Sequence, residues 1–239
     1  MVKRKTAMNI RKAHRYLGIF IGIQFIMWTV SGLYFSWTDI DEIHGDHFKK
    51  EQPQVAAFGS LQSPTDLDSE LKVGSVRLQE ISGQPFYFIN NQVLMNARTG
   101  ENIDEISEED ALSIASRYMK SDLEVSGVER ITEAGEHHEY RENLLPAYVI
   151  SYKTDENLKA YIGATNGGFR TVRHRDWRWF DFLWMTHTMD YEGRDDFNNL
   201  LLRSFSLLGL ITVLSGFLLW YISSPTVRKL VQPAKKKRK

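Results

Sequence analysis

The chain has 239 residues, 30 basic and 30 acidic side chains, and no cysteine. Absence of cysteine excludes disulfides, thiolate metal centres and covalent c-type haem attachment, so any folded part is held by packing alone. The neutral total averages unlike parts: residues 1–15 and 224–239 carry six and seven bases with no acid, and the stretch between them carries all 30 acids against 17 bases.

Residues 1–15 read as a basic cytoplasmic N-terminus, and Tyr16–Thr38 follows without a charge over 23 positions. About 20 helical residues cross a bilayer core of roughly 30 Å, so 16–38 is a candidate transmembrane helix. It is longer than a signal-peptide apolar region and shows no small-x-small cleavage site before Asp39, which makes it an uncleaved anchor. Residues 39–62 read as a polar juxtamembrane connector.

Ser63-Pro64 opens a short helix expected to reach Lys72, with Ser as N-cap and Pro at the first helical position. Extended runs follow at Ser75–Ile81, Pro85–Ile89 and Gln92–Ala97, the last closing on the turn Arg98-Thr99-Gly100. Ser107-Glu-Glu-Asp110 starts a helix with acids in its first turn and an apolar stripe of Ala111, Ile114, Ala115 and Tyr118. Strands recur at Gly127–Glu133, Ala147–Lys153 and Lys159–Ala164, and Arg170–Arg173 continues the sheet.

Two halves, 63–106 and 107–175, resemble each other. Val76–Glu80 matches Glu129–Glu133, Pro85–Ile89 matches Pro146–Ile150, and Val93–Gly100 matches Ala160–Gly167. Each half reads as a helix followed by a three-stranded antiparallel meander, so the expected fold class is a tandem α+β domain on two transmembrane helices. Residues 176–198 form an amphipathic, tryptophan-rich segment in the outer membrane interface. Within it, Asp176–Tyr191 as a helix puts His187 on one face with Trp177, Phe180, Trp184 and Tyr191.

Ser204–Val227 is the second uncharged run, 24 positions long, and residues 199–223 form the second span. Basic clusters next to short tails stay cytoplasmic, so both termini are expected inside and the acidic middle outside. The tail 224–239, with its Lys235–Lys239 run, anchors to anionic lipid. Nucleic-acid binding is not called for, and no P-loop, HExxH, GxSxG or GxGxxG pattern occurs.

Seven histidines are the chemical handles. His14 stands at the inner end of the first span, followed along one stripe by Gly18, Gly22, Phe25, Thr29 and Gly32. The glycines leave room for a flat porphyrin, and equally for close helix packing through Gly18-x-x-x-Gly22 against Ser206, Gly209, Val213 and Gly216. His187 is the corresponding haem-ligand candidate at the outer side, or a hydrogen-bonding residue at headgroup level. His44 and His47, among Asp39, Asp41 and Glu42, are metal-ligand candidates, with His187, Asp190 and Glu192 on the same membrane face; the alternative is a solvated linker. His137-His138 falls in a charged loop, and His174, between Arg173 and Arg175, reads as headgroup-facing.

The layout resembles PepSY domains with PepSY-associated transmembrane helices. Arg11–Gly18 and Val30–Phe35 at the first span, Leu183–His187, and Leu214–Trp220 in the second carry the resemblance. It implies a bacterial inner-membrane protein with a periplasmic central domain, distantly similar to iron-regulated membrane proteins and ferric-siderophore reductases, which hold b-type haem between four membrane helices. This chain has two spans and no flavin or nicotinamide signature. A symmetric dimer would bring two His14 together at the inner side and two His187 at the outer. Three functions stay open: a non-enzymatic accessory subunit that binds another membrane protein or a second copy of itself, a haem b electron-transfer protein of iron uptake, and a metal or chelate sensor.

Overall fold

The structure is a computed structural model that describes residues 4–51, 57–68, 70–141 and 143–226. Most of the basic tail, including Lys235–Lys239, lies outside the described residues. The chain divides into a helical unit, Met1–Trp37 with Phe182–Lys239, and an α+β unit, Thr38–Asp181.

In the helical unit, α1 (Arg4–Trp37) has 34 residues and α6 (Leu200–Ser223) has 24. Both are long and apolar enough to cross a membrane. A soluble core helix passes the same length test, but it would be buried. Here only 11 % of each apolar window is buried, and Ile19, Ile23, Ile26, Leu210, Leu214 and Phe217 are exposed. Apolar surface of that extent requires lipid.

The face of α1 that packs runs through Ile21, Gln24 and Ser31, all buried. Gly209 of α6 receives Phe25: a Cβ at Gly209 would stand 3.1 Å from the Phe25 ring. Phe20 stacks on Phe205 at 5.4 Å. Asn199 caps α6 by accepting the Leu202 N–H at 2.7 Å. The expected pairing of Gly18 and Gly22 with the small residues of α6 does not form, since a Cβ at Gly18, Gly22 or Gly32 would meet nothing within 4 Å. Bulkier Phe25, on the same stripe, and Ile21 beside it fill the contact with Gly209 instead.

The α+β unit begins with structure where a plain connector was expected: α2 (Ile40–Ile43), then a 3-10 turn (Asp46–Phe48) and a bridge from Lys49 to Met119. The helix α3 (Pro64–Leu67) has a single turn, not the run to Lys72. Ser63 makes no side-chain cap bond, and Asp68 stands at the C-cap, the end where the helix dipole disfavours acids.

Two four-stranded antiparallel sheets follow, ordered β1-β2-β3-β4 and β5-β6-β7-β8. The first comprises β1 (Val76–Ile81), β2 (Gln84–Ile89), β3 (Val93–Asn96) and β4 (Asn102–Ile103). The second comprises β5 (Val125–Ile131), β6 (Ala147–Tyr152), β7 (Lys159–Gly163) and β8 (Phe169–Arg173). The three-stranded expectation for the first half missed β4, whose two residues are too short to show a period. It forms because Asn96 Oδ1 accepts the Arg98 and Thr99 N–H groups and turns the chain back on itself. Between the sheets in sequence comes α4 (Glu108–Tyr118), with Ser107 and Asp110 closing a reciprocal capping box.

Alternation along the strands makes a three-part core. Phe88 of β2 and Tyr148, Ile150 and Tyr152 of β6 face Ala111, Ile114 and Ala115 of α4. The opposite faces bury Tyr87, Ile89, Met95 and Ala97 on the first sheet, and Tyr140, Ala147, Val149 and Tyr161 on the second. The sheets touch at Gly167, whose φ is +60° and whose absent Cβ would lie 2.8 Å from Ile81 Cδ1. After β8, α5 (Arg175–Thr188) follows, and the division between the units falls within it.

Candidate functional site

His14 lies on α1 and reaches α6, with Nδ1 2.7 Å from Ser215 Oγ. Ser215 has one hydroxyl hydrogen, and its carbonyl partner is Thr212 O at 2.7 Å. Towards His14 the serine therefore accepts, which puts a hydrogen on Nδ1 and, in the neutral imidazole, leaves the lone pair on Nε2. Gly216 makes room for the ring, since a Cβ there would come 3.3 Å from His14 Cε1. Next to it, Val213, Gly216, Phe217 and Trp220 line an apolar surface groove of about 460 Å³.

His187 repeats the arrangement at a different level. Its Nδ1 is 2.7 Å from Ser31 Oγ, and Ser31 donates to Met27 O at 2.7 Å. The Nε2 of His187 therefore also carries the lone pair. Trp28 donates to His187 O at 2.8 Å, Gln24 donates to Thr186 O at 3.1 Å, and Phe35 lies edge-on to the imidazole at 5.6 Å. The level of His14 and that of Ser31 are separated by seventeen residues of α1, roughly 25 Å at 1.5 Å each. The two histidines are not brought to one centre.

Of the expected face of Trp177, Phe180, Trp184, His187 and Tyr191, the helix keeps all but Tyr191. The helix stops at Thr188 because Met189 takes φ +54°, and Tyr191 falls beyond it. Asp190 is buried and accepts the Gly193 and Asp196 N–H groups at 3.2 and 2.8 Å. It organises the turn into α6 and holds its carboxylate within that turn.

In the α+β unit, the two metal-ligand candidates part company. His44 ends α2 as its C-cap. His47, on the 3-10 turn, lies edge-on to His174, with ring centroids 5.4 Å apart. His174 does not face outward between its arginines. It is 1 % exposed, because the alternation of β8 carries Val172 and His174 inward while Arg173 points the other way. Its Nε2 lies 3.1 and 3.2 Å from the carbonyls of Glu42 and Ile43. Glu156, in the β6–β7 turn, is 3.5 Å from His174 Nδ1 through Oε2, and the Arg175 N–H bonds to Glu156 O at 2.8 Å. Gly45, at φ +74°, lets the chain close on β8, since a Cβ there would stand 2.9 Å from Val172 Cγ1. Among the described residues, His47, Glu156 and His174 form the group whose ligand atoms all lie within 4.8 Å of one another. Sequence reasoning found His47, misread His174 and missed Glu156; the alternation Val172-Arg173-His174 was the available signal for His174.

A second polar cluster is structural. Glu139 accepts from Arg178 at 2.7 and 3.1 Å and from Tyr161 at 2.6 Å. Burial pushes its carboxyl up, but the bonds from Arg178 and Tyr161 outweigh that and hold it below the ordinary value. Arg173 lies 3.9 Å over the Trp177 ring, and burial pushes its guanidinium down to about 10. His138 is in a loop, as expected, where its Nδ1 accepts the Tyr140 N–H at 3.1 Å.

The family model described as PepSY-associated TM region matches residues 2–230. Neither the curated proteins nor the solved structures give a match.

Proposed function

The chain belongs to the PepSY-associated TM family, and on that footing we propose that it is a non-enzymatic accessory subunit of the bacterial inner membrane. Both termini are cytoplasmic, and the α+β unit, a tandem of two PepSY-like halves, is periplasmic. The basic flanks of both spans support that orientation. The helix pair is half of a larger bundle, completed by a second copy or by another membrane protein. The observation that carries this reading is the glycine flank of α1: Gly18, Gly22 and Gly32 have open space beside them. Small residues are where helices approach closely in lipid.

The lack of native cysteine makes the test clean. Gly18→Cys and Gly22→Cys, oxidised in native membranes, are expected to give a disulfide-linked dimer. A photo-reactive side chain at the same positions is expected to capture the other membrane protein if the partner is not a second copy. Ile23→Cys, on a residue 69 % exposed, serves as the lipid-facing control. Adducts no stronger than at Ile23 would end this reading.

A second reading, haem b electron transfer in iron uptake, is favoured by the matched histidines. Each has Nδ1 fixed by a serine and Nε2 left as a lone pair, which is how axial imidazoles are oriented. The apolar groove beside His14 suits a porphyrin face. His14 and His187 would each serve a separate haem, which would supply a one-electron couple. Protein made with ample haem should then show a Soret band that shifts on dithionite reduction and weakens in both His14→Ala and His187→Ala. A spectrum with no Soret band would remove the reading.

A further inference from the structure

We propose that His47, Glu156 and His174 form a binding site for a borderline first-row divalent ion of the zinc or copper type, independent of the function proposed above. The argument starts from the hydrogens of His174. Its Nε2 faces two backbone carbonyls, Glu42 O and Ile43 O. Carbonyls only accept, so Nε2 carries the hydrogen. Nδ1 is buried without a hydrogen-bond partner, and Glu156 Oε2 stands 3.5 Å away. A neutral imidazole there turns a lone pair towards a carboxylate, two acceptors with nothing between them. Leaving a buried polar atom in that state is costly, because its desolvation goes uncompensated. Something positive belongs between them.

The geometry favours a metal ion over a lone proton. Two ligands each about 2.1 Å from a tetrahedral zinc ion are about 3.4 Å apart, close to the observed His174–Glu156 separation. A proton shared by those two groups would need no third donor, yet His47 brings its ring nitrogen within 4.8 Å of both. Holding the far ring nitrogen of a ligating histidine on a backbone carbonyl is also the usual way a protein fixes the ligating tautomer. Two imidazoles and one carboxylate suit zinc, copper or nickel better than magnesium or calcium, which prefer all-oxygen shells. The buried His174 supplies a fixed anchor. Exposed His47 and half-buried Glu156 give the ion a way in and leave a coordination position open to water.

The test uses the full chain, purified in detergent micelles. Titration with Zn²⁺ by calorimetry, and with Co²⁺ by its visible d–d bands, is expected to show one equivalent bound. His47→Ala and Glu156→Gln change solvent-accessible side chains and leave the core intact. Each removes a direct ligand and is expected to weaken binding by more than the roughly 10–100-fold that follows loss of an outer-shell partner. His44→Ala, outside the cluster, is expected to bind as the unsubstituted chain does. Absence of stoichiometric binding, or binding of the same strength in both His47→Ala and Glu156→Gln, would overturn the site.

Discussion

Ser215 accepts the Nδ1–H of His14 at 2.7 Å across the α1–α6 pair, and Gly216 next to it leaves the space in which the ring lies. One residue thus fixes the hydrogen of the imidazole and its neighbour admits the ring. Polar contacts between helices in lipid contribute about 0.6 kcal/mol on average and at most about 1.7. Ser215→Ala should therefore loosen the helix pair by about 1 kcal/mol. Gly216→Leu should do more, because its side chain occupies the position of the imidazole. Thermal unfolding in nanodiscs, read by tryptophan fluorescence, ranks the two; equal effects would argue against the ring lying over Gly216.

Gly167 and Gly83 make a controlled comparison. Both have positive φ, +60° and +77°, but only Gly167 has a neighbour in the way, Ile81 Cδ1 at 2.8 Å from a built Cβ. Gly83→Ala should cost the conformational penalty alone, about 1 kcal/mol. Gly167→Ala should cost more, about 2–3 kcal/mol, because strain and overpacking combine. Denaturant unfolding of the two variants checks the difference.

Ser107→Ala should destabilise α4 by about 1 kcal/mol, the usual worth of an N-cap. It also acts on Asp110. Burial pushes that carboxyl up, and bonds from Ser82 and Ser107 more than offset it, leaving it below the ordinary value of 3.8. A carboxyl depressed in the folded state stabilises above its unfolded value, and that contribution is lost as pH falls through the folded one. The unsubstituted chain should lose stability as pH falls below about 4, and Ser107→Ala should lose less over the same range. Unfolding midpoints between pH 6 and pH 3 measure this.

Glu139→Gln removes the negative charge that Arg178 and Tyr161 bond to. Half-buried cations would be left with a weaker partner, at a cost of about 1–3 kcal/mol. Glu139 is itself held below its ordinary value of 4.5. The variant should therefore show a shallower acid-side loss of stability, by the same sign argument as for Asp110. An unchanged acid limb would show that the cluster is not electrostatically coupled to folding.

What the sequence determined by itself was whatever depends on neighbours along the chain. Two uncharged runs with basic flanks specified two spans, because lipid selects on length and charge without reference to the rest of the fold. Period-two runs such as Pro85–Ile89 and Ala147–Lys153 specified strands, and Ser107 with Asp110 specified a helix start, because a cap is made within one turn. Tertiary structure alone decided which faces meet. Gly18 and Gly22 had the spacing of a helix contact, yet of their stripe it is Phe25, with Ile21 beside it, that meets Gly209, because the contact follows the partner helix and not the smallest residues. His44 and His47 were equal in sequence, and only the close approach of Gly45 to Val172 separated them. His174 looked exposed between two arginines and is buried. Glu156, more than a hundred residues from His47, reaches the site only because the β6–β7 turn is tied to the start of α5. Donor sets of this kind are made by long-range packing, and no local pattern records them.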